Sequence, residues 1–125
     1  MWAPVGLLLA FEFYLSSRSV LPSFRWLFGG IPHADKLQHA IYYFLMGAFA
    51  VRAARFGEGW SVRRTVIVLV ASGFAYGCLD EFHQSFVPGR DVEAGDVVAD
   101  TLGVTAAALF AERLWRRFNL DRVVR

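Results

Sequence analysis

The stretch TVIVLVASGFAYGCLDEFHQSFVPGRD, residues 65–91, joins an apolar run to a run of polar residues. Its first fifteen residues carry no charge, and Asp80 and Glu81 follow them directly. A helix that begins in the apolar run can continue through these acids until Pro88 and Gly89 stop it. The stretch therefore predicts a membrane-spanning helix with a polar site at one end, because charges at the edge of a span are costly unless they serve a purpose.

The overall composition also indicates a membrane protein. The chain has 125 residues, of which 56% are hydrophobic and 19% charged, and its net charge is +2. This length suits one domain, so residues 1–125 are treated as a single domain. The basic residues lie beside apolar segments, which argues against nucleic-acid binding. The single cysteine, Cys78, lies inside an apolar run and is expected to be a small buried hydrophobic residue.

Four apolar segments are candidates for transmembrane helices. They run from Trp2 to Leu15, from about Leu37 to Ala54, from Thr65 to about Phe86, and from the 92–96 region to Trp115. A break at residues 29–32 precedes the second segment. None shows the alternating pattern of barrel strands, so we predict an all-α fold, a four-helix transmembrane bundle. The first segment is shorter than the roughly 20 residues of a full span, and its Glu12 is expected to reach the interface.

The arginines set the expected orientation. Two regions are rich in them, the connection after the second segment and the tail after the fourth: Arg52, Arg55, Arg63 and Arg64, then Arg113, Arg116, Arg117, Arg122 and Arg125. The other connections are poorer, with Arg18, Arg25 and Lys36 in one and Arg90 in the other. With four spans, the two rich regions lie on the same side, which the positive-inside rule makes cytoplasmic. Both termini are therefore expected in the cytoplasm, with the polar residues at the outer face.

Polar residues recur at intervals of four at the outer ends of three predicted helices. In the second segment, Asp35, His39 and Tyr43 share one helix face. The same spacing occurs in the third and fourth segments, in the pairs Asp80–Gln84 and Asp96–Asp100. An unpaired charge inside a bilayer costs at least about 2.5 kcal/mol, so these groups are expected to face one another in an outward-facing polar pocket. The alternative for single residues is helix capping, which suits Asp96.

Four stretches together resemble the VanZ-like family of small bacterial membrane proteins. They are YLSS (14–17), DKLQHAIYYFLMG (35–47), DEFHQSFVPGRD (80–91) and GDVVADTLG (95–103), and they span nearly the whole chain. The sequence departs from the family pattern at Asp100, where the family usually has asparagine. The resemblance implies a multi-pass protein of the bacterial cytoplasmic membrane, and the founding member is associated with resistance to the glycopeptide antibiotic teicoplanin. It implies no particular biochemical activity.

One hypothesis for the pocket is binding or processing of an anionic lipid head group, such as a polyprenyl-phosphate-linked cell-envelope precursor. Lys36 and Arg90 would contact the phosphate. His39, oriented by Asp35, would act as a general acid or base. A divalent cation such as Mg²⁺ or Mn²⁺ would offset the excess of acids and allow metal-assisted hydrolysis or transfer.

The candidate site residues follow from this hypothesis. Candidate catalytic residues are Asp35, His39, Asp80 and Glu81, and candidate binding residues are Lys36, Tyr43, Gln84, Arg90, Asp96 and Asp100. Candidate metal ligands are Asp80, Glu81 and Asp96.

Two further hypotheses remain open. In one, the carboxylates and His39 form a proton or cation relay in a small transporter or accessory protein without catalysis. Four helices are few for a transporter, so this hypothesis predicts a homo-oligomer. In the other, ion pairs among the polar residues merely lock the helix ends together, which leaves the excess of acids unexplained.

Overall fold

A computed structural model describes residues 1–19 and 33–118 of the chain. These residues contain no strand, and they form the four helices α1 (Ala3–Ser16), α2 (Ala34–Arg52), α3 (Val62–Gln84) and α4 (Ala94–Arg117). A π-helical turn over Ala53–Gly57 extends α2. Each helix coincides with one predicted segment to within a few residues. The predicted break at 29–32 and the arginines at 25, 122 and 125 lie outside the described residues.

Local sequence explains where α3 begins and ends. The Ser61 side chain caps its first turn by accepting a hydrogen bond from the Arg64 amide at 3.2 Å. The helix ends at Gln84, four residues before Pro88, which cannot donate a backbone hydrogen bond. Gly89 then adopts a positive φ of 79°, a conformation that costs glycine little. The chain thus turns within nine residues and enters α4.

The closest packing in the fold joins α2 to α4, which run parallel. On α4 a small residue recurs every four positions, at Gly95, Ala99, Gly103, Ala107 and Ala111. A Cβ on Gly103 would overlap the Ala40 carbonyl oxygen and lie 3.0 Å from the Phe44 amide nitrogen. A Cβ on Gly47 of α2 would lie 2.8 Å from the Cβ of Ala107. Small residues at such spacing allow membrane helices to pack backbone against backbone.

Helix α3 packs against α4 through two glycines of its own. A Cβ on Gly73 would lie 2.8 Å from Cγ2 of Val104, and one on Gly77 would lie 3.2 Å from Oδ2 of Asp100. Asp100 therefore occupies space that a side chain on α3 would otherwise fill. This arrangement brings a carboxylate of α4 close to the axis of α3.

Helix α1 is attached to the other helices by side chains that donate hydrogen bonds to its backbone carbonyl oxygens. The Tyr42 hydroxyl donates to the Leu8 carbonyl oxygen at 2.5 Å, and the Tyr76 hydroxyl donates to that of Leu9 at 3.0 Å. A carbonyl that already accepts an intrahelical bond has a second lone pair, so neither contact breaks the helix. Two tyrosines, one from α2 and one from α3, thus fix α1 against the other helices.

Aromatic and charged contacts hold the opposite end of the molecule together. The Arg55 guanidinium binds the Glu112 carboxylate through two hydrogen bonds, of 2.7 and 3.0 Å. At the same end the Trp2 indole donates to Glu58 at 3.2 Å, and its ring lies 6.1 Å from that of Trp60. The start of α1 and the last turns of α4 therefore lie at one end of the helices, with the polar motifs at the other.

The distribution of exposure is inverted relative to a water-soluble protein. Leu79 and Phe82 are 63% and 65% exposed, whereas Asp80 and Glu81 between them are 5% and 6% exposed. Cys78 is also exposed, which corrects the expectation that it is buried. Both α3 and α4 are long and apolar enough to cross a membrane. Exposed apolar side chains around buried acids are typical of helices that contact lipid.

The contact at Gly103 gives a direct test of the α2–α4 packing. The Gly103→Ala substitution is expected to destabilise the protein by about 1–3 kcal/mol, because the added methyl group meets backbone atoms that cannot rotate away. The measurement is thermal unfolding in detergent, followed by circular dichroism. Gly6→Ala is the matched control, since a Cβ on Gly6 has no atom within 4 Å. Equal melting temperatures for the two variants would contradict the proposed contact.

Candidate functional site

The polar side chains at the start of α2 and α4 form a group centred on Lys36, which we call the lysine cluster. Its members are Asp35, Lys36, Glu81, Glu93 and Asp96. The Lys36 ammonium donates to Asp35, Glu93 and Asp96 at 2.8, 2.5 and 2.8 Å. Glu81 joins the group by accepting a hydrogen bond from the Glu93 amide at 2.8 Å. The cluster ties α2, α4 and the end of α3 together.

The contacts within the lysine cluster favour the charged forms of Asp35 and Lys36. The hydrogen bond from Lys36 lowers the pKa of Asp35, and partial burial opposes this only in part. Burial by itself would lower the pKa of Lys36, but the three carboxylates outweigh it and the pKa rises above its usual range. An ammonium has three N–H donors, and all three are used here. Lys36 therefore has no donor left for a phosphate group, and its contacts are those of a structural residue.

The only group of three acids with metal-ligand spacing in the described part of the chain is Asp35, Glu93 and Asp96, whose nearest oxygens lie within 4.8 Å of one another. Lys36 donates to all three, so its ammonium takes the place that a cation would need. The predicted metal ligands divide differently: Glu81 and Asp96 belong to the lysine cluster, and Asp80 does not. That predicted triad does not converge on one point.

A second group of polar side chains lies deeper between the helices, and we call it the acid chamber. Its members are Glu12 from α1, His39 and Tyr43 from α2, Asp80 and Gln84 from α3, and Asp100 from α4. The His39 Nδ1 donates to Asp100 at 2.9 Å, and its Nε2 lies 3.9 Å from Asp96. The prediction that Asp35 orients His39 is wrong, because Asp35 binds Lys36 while Asp100 holds the imidazole.

Two uncharged side chains of the acid chamber are fully buried with unused hydrogen-bonding capacity. The Gln84 amide nitrogen donates to Asp80 at 2.8 Å, but its Oε1 has no partner among the described residues. The Tyr43 hydroxyl likewise has no partner within residues 1–19 and 33–118. A buried polar atom without a partner costs about 1–3 kcal/mol, so its retention calls for an explanation.

Glu12 is the site residue that sequence reasoning misplaced. It was expected to reach the interface, but it is only 8% exposed and interacts electrostatically with Asp80, His39 and Asp100. Ser16, one turn later on the same helix, is also buried and unpartnered among described residues. The sequence signal that could have indicated this position is that Glu12 lies four residues before Ser16, on the same face of α1. Glu93, the missed member of the lysine cluster, gave no signal beyond its position before α4.

Arg90 lies in the turn between α3 and α4 and is half-buried. It forms no ion pair with any residue in the described ranges, in contrast to Lys36. It interacts electrostatically with Glu12, which places it on the side of the acid chamber. Among residues 1–19 and 33–118, the five N–H donors of this half-buried guanidinium-bearing residue have no ion-pair partner.

His83, which was expected to be interfacial, contacts two residues at the end of α1. Its ring stacks on Phe13 at 4.5 Å, and its Nε2 lies 3.0 Å from the Ser17 hydroxyl. The same hydroxyl donates its proton to the Phe13 carbonyl oxygen at 2.7 Å. The Ser17 oxygen must then accept from His83, so this serine and histidine do not form an activated nucleophile.

The sequence profile of the VanZ/LLP1 family matches residues 4–116, a range that contains nearly all of the four helices and both polar groups. Comparisons with curated proteins and with solved structures find no match. The profile match confirms the resemblance drawn from the four sequence stretches. This membrane protein, with its two apolar spanning-length helices, belongs to the VanZ/LLP1 family.

Proposed function

We propose that the chain binds the phosphate head group of an anionic, lipid-linked cell-envelope precursor at the outer ends of its helices. The observation that carries this proposal is Arg90. Arg90 is half-buried beside the acid chamber, and its guanidinium forms no ion pair with the described residues. A guanidinium of this kind can hold a phosphate through two parallel hydrogen bonds. Lys36 has no such role in the proposal, because its donors are already used.

The proposed setting is the bacterial cytoplasmic membrane, crossed four times, with both termini in the cytoplasm. The described arginines support it. Seven of them lie at the end opposite the polar motifs, at Arg52, Arg55, Arg63, Arg64, Arg113, Arg116 and Arg117. The positive-inside rule then directs the lysine cluster and acid chamber toward the outer leaflet. Wall precursors are used there, so binding at this face is the route by which we propose a link to teicoplanin resistance.

A second candidate function is a proton relay, and one observation favours it. The imidazole of His39 lies between two carboxylates, with Nδ1 2.9 Å from Asp100 and Nε2 3.9 Å from Asp96. Imidazoles flanked by acids inside membranes are typical of proton pathways. Proton flux into liposomes that contain the purified protein, compared with its His39→Gln variant, separates a relay from a binding site. Flux that depends on His39 would favour the relay.

The Arg90 proposal predicts a specific loss of lipid binding. Arg90→Ala is expected to weaken binding of a polyprenyl phosphate by roughly 10- to 100-fold, since hydrogen bonds to a charged group contribute about 1.5–3 kcal/mol. Affinity is measured on purified protein in detergent, by native mass spectrometry or fluorescence. The uncharged polyprenol should bind wild type and variant alike.

Arg63→Ala is the matched control, because Arg63 is exposed at the opposite end of the molecule. Equal affinity of the Arg90→Ala variant and wild type for the phosphate would refute the proposal. Assay of inorganic phosphate in the same samples distinguishes processing from binding. Release that requires His39 would assign it the acid–base role.

Lys36 should behave differently from Arg90. Lys36→Met is expected to lower stability by about 1–3 kcal/mol, because it leaves three carboxylates without their shared cation. Lipid affinity of the folded fraction should change less than twofold. Thermal unfolding and the lipid assay are run on the same preparation. A large loss of lipid affinity at unchanged stability would indicate that Lys36 takes part in lipid binding.

A further inference from the structure

The acid chamber holds more negative charge than its own residues neutralise. Glu12, Asp80 and Asp100 are each less than 9% exposed, and His39 is the one base within hydrogen-bonding distance of any of them in the described structure. Lys36 is not available, since it is saturated by the lysine cluster. Counted as ionised, the three carboxylates and one imidazolium carry a net charge of two negative, and Arg90, which interacts electrostatically with Glu12, forms no ion pair with any of them in the described structure. Buried charge of this size is costly unless an ion or protons compensate it.

The unpartnered atoms of the chamber point independently to a ligand. The Tyr43 hydroxyl and Gln84 Oε1 are buried oxygens that bind nothing in the described residues. Tyr43 interacts electrostatically with Asp100, Asp80 and Glu12, so its hydroxyl faces the three acids. Carboxylate, hydroxyl and amide oxygens together are the ligand set of a hard cation, and a soft metal would require sulfur or more imidazole.

The spacing of the acids indicates what form the cation takes. Among described residues, the three chamber carboxylates are not a group whose oxygens lie within 4.8 Å of one another. A fully dehydrated ion would need such convergence. Mg²⁺ commonly keeps several of its waters and is held by one or two carboxylates, with further oxygens contacting those waters.

We propose that the acid chamber binds one hydrated divalent cation, of the Mg²⁺ type, between Glu12, Asp80 and Asp100. Tyr43 and the Gln84 oxygen contact its water shell. A charge of two positive balances the chamber, and the ion links α1 to α3 and α4 through one acid from each. The proposed cation site needs no lipid, so this inference is independent of the proposed lipid function.

The test uses the full-length protein, stripped of metal and held in a non-ionic detergent without lipid. Binding of Mn²⁺ is followed by electron paramagnetic resonance, with Mg²⁺ as competitor. Wild type is expected to bind one Mn²⁺ per chain and to release it to Mg²⁺. Glu12→Gln and Asp100→Asn should each weaken binding at least tenfold. Asp91→Asn, which removes the same charge from an exposed acid nearby, should leave it unchanged.

Three results would overturn the proposal: no stoichiometric binding by wild type, unchanged affinity in both chamber variants, or an equal loss in Asp91→Asn. Circular dichroism and gel filtration verify folding. If the acid variants do not fold, the Tyr43→Phe variant replaces them in the test, because it removes only a hydroxyl group. A loss of Mn²⁺ affinity of at least twofold in this variant supports the site, and unchanged affinity refutes it. Arg90→Ala is expected to keep Mn²⁺ binding, which separates failure of the lipid proposal from failure of this one.

Discussion

Gly103 brings the backbone of α4 against that of α2, and this contact sets the register of the two parallel helices. With Gly103 against Ala40, Asp100 falls beside His39 and, one turn earlier, Asp96 falls beside Lys36. A slip of one residue would rotate both acids away from their partners by about 100°, because an α-helix has 3.6 residues per turn. The positions of both polar groups therefore depend on Gly103, which has no functional side chain.

The same register divides the polar residues into two groups, the lysine cluster and the acid chamber, although in the sequence they appear as one motif. The first carboxylates along α2 and α4 surround Lys36, and their shared hydrogen bonds to its ammonium join the helix ends. One turn deeper, Tyr43 and Gln84 retain unused oxygens among the described residues. The first group joins the helix ends, and the second retains the buried oxygens without a partner among the described residues. At position 100 the chain has aspartate where the family usually has asparagine. This carboxylate belongs to the deeper group and binds His39.

Most of the helices were predictable because apolar length is a local property. The runs at 65–79 and 96–115, and the stop at Pro88 and Gly89, predicted α3 and α4 to within a few residues. The packing surface was less visible, although the recurrence of small residues every four positions on α4 was present in the sequence. In the site, spacing placed the predicted residues near one end of the helices. It did not reveal Glu12 or Glu93, since both join through contacts between distant segments.

The sequence by itself determined the membrane character of the chain, its helical class, its family and the residues that carry charge at one end. Those properties follow from composition and local periodicity, which act within one or two turns. Only the tertiary structure decided the pairing: Asp100 instead of Asp35 beside His39, Lys36 enclosed by acids, and Glu12 turned inward. Pairing depends on how closely helices approach and in what register. Both are set by contacts such as Gly103 with Ala40, which join residues more than sixty positions apart.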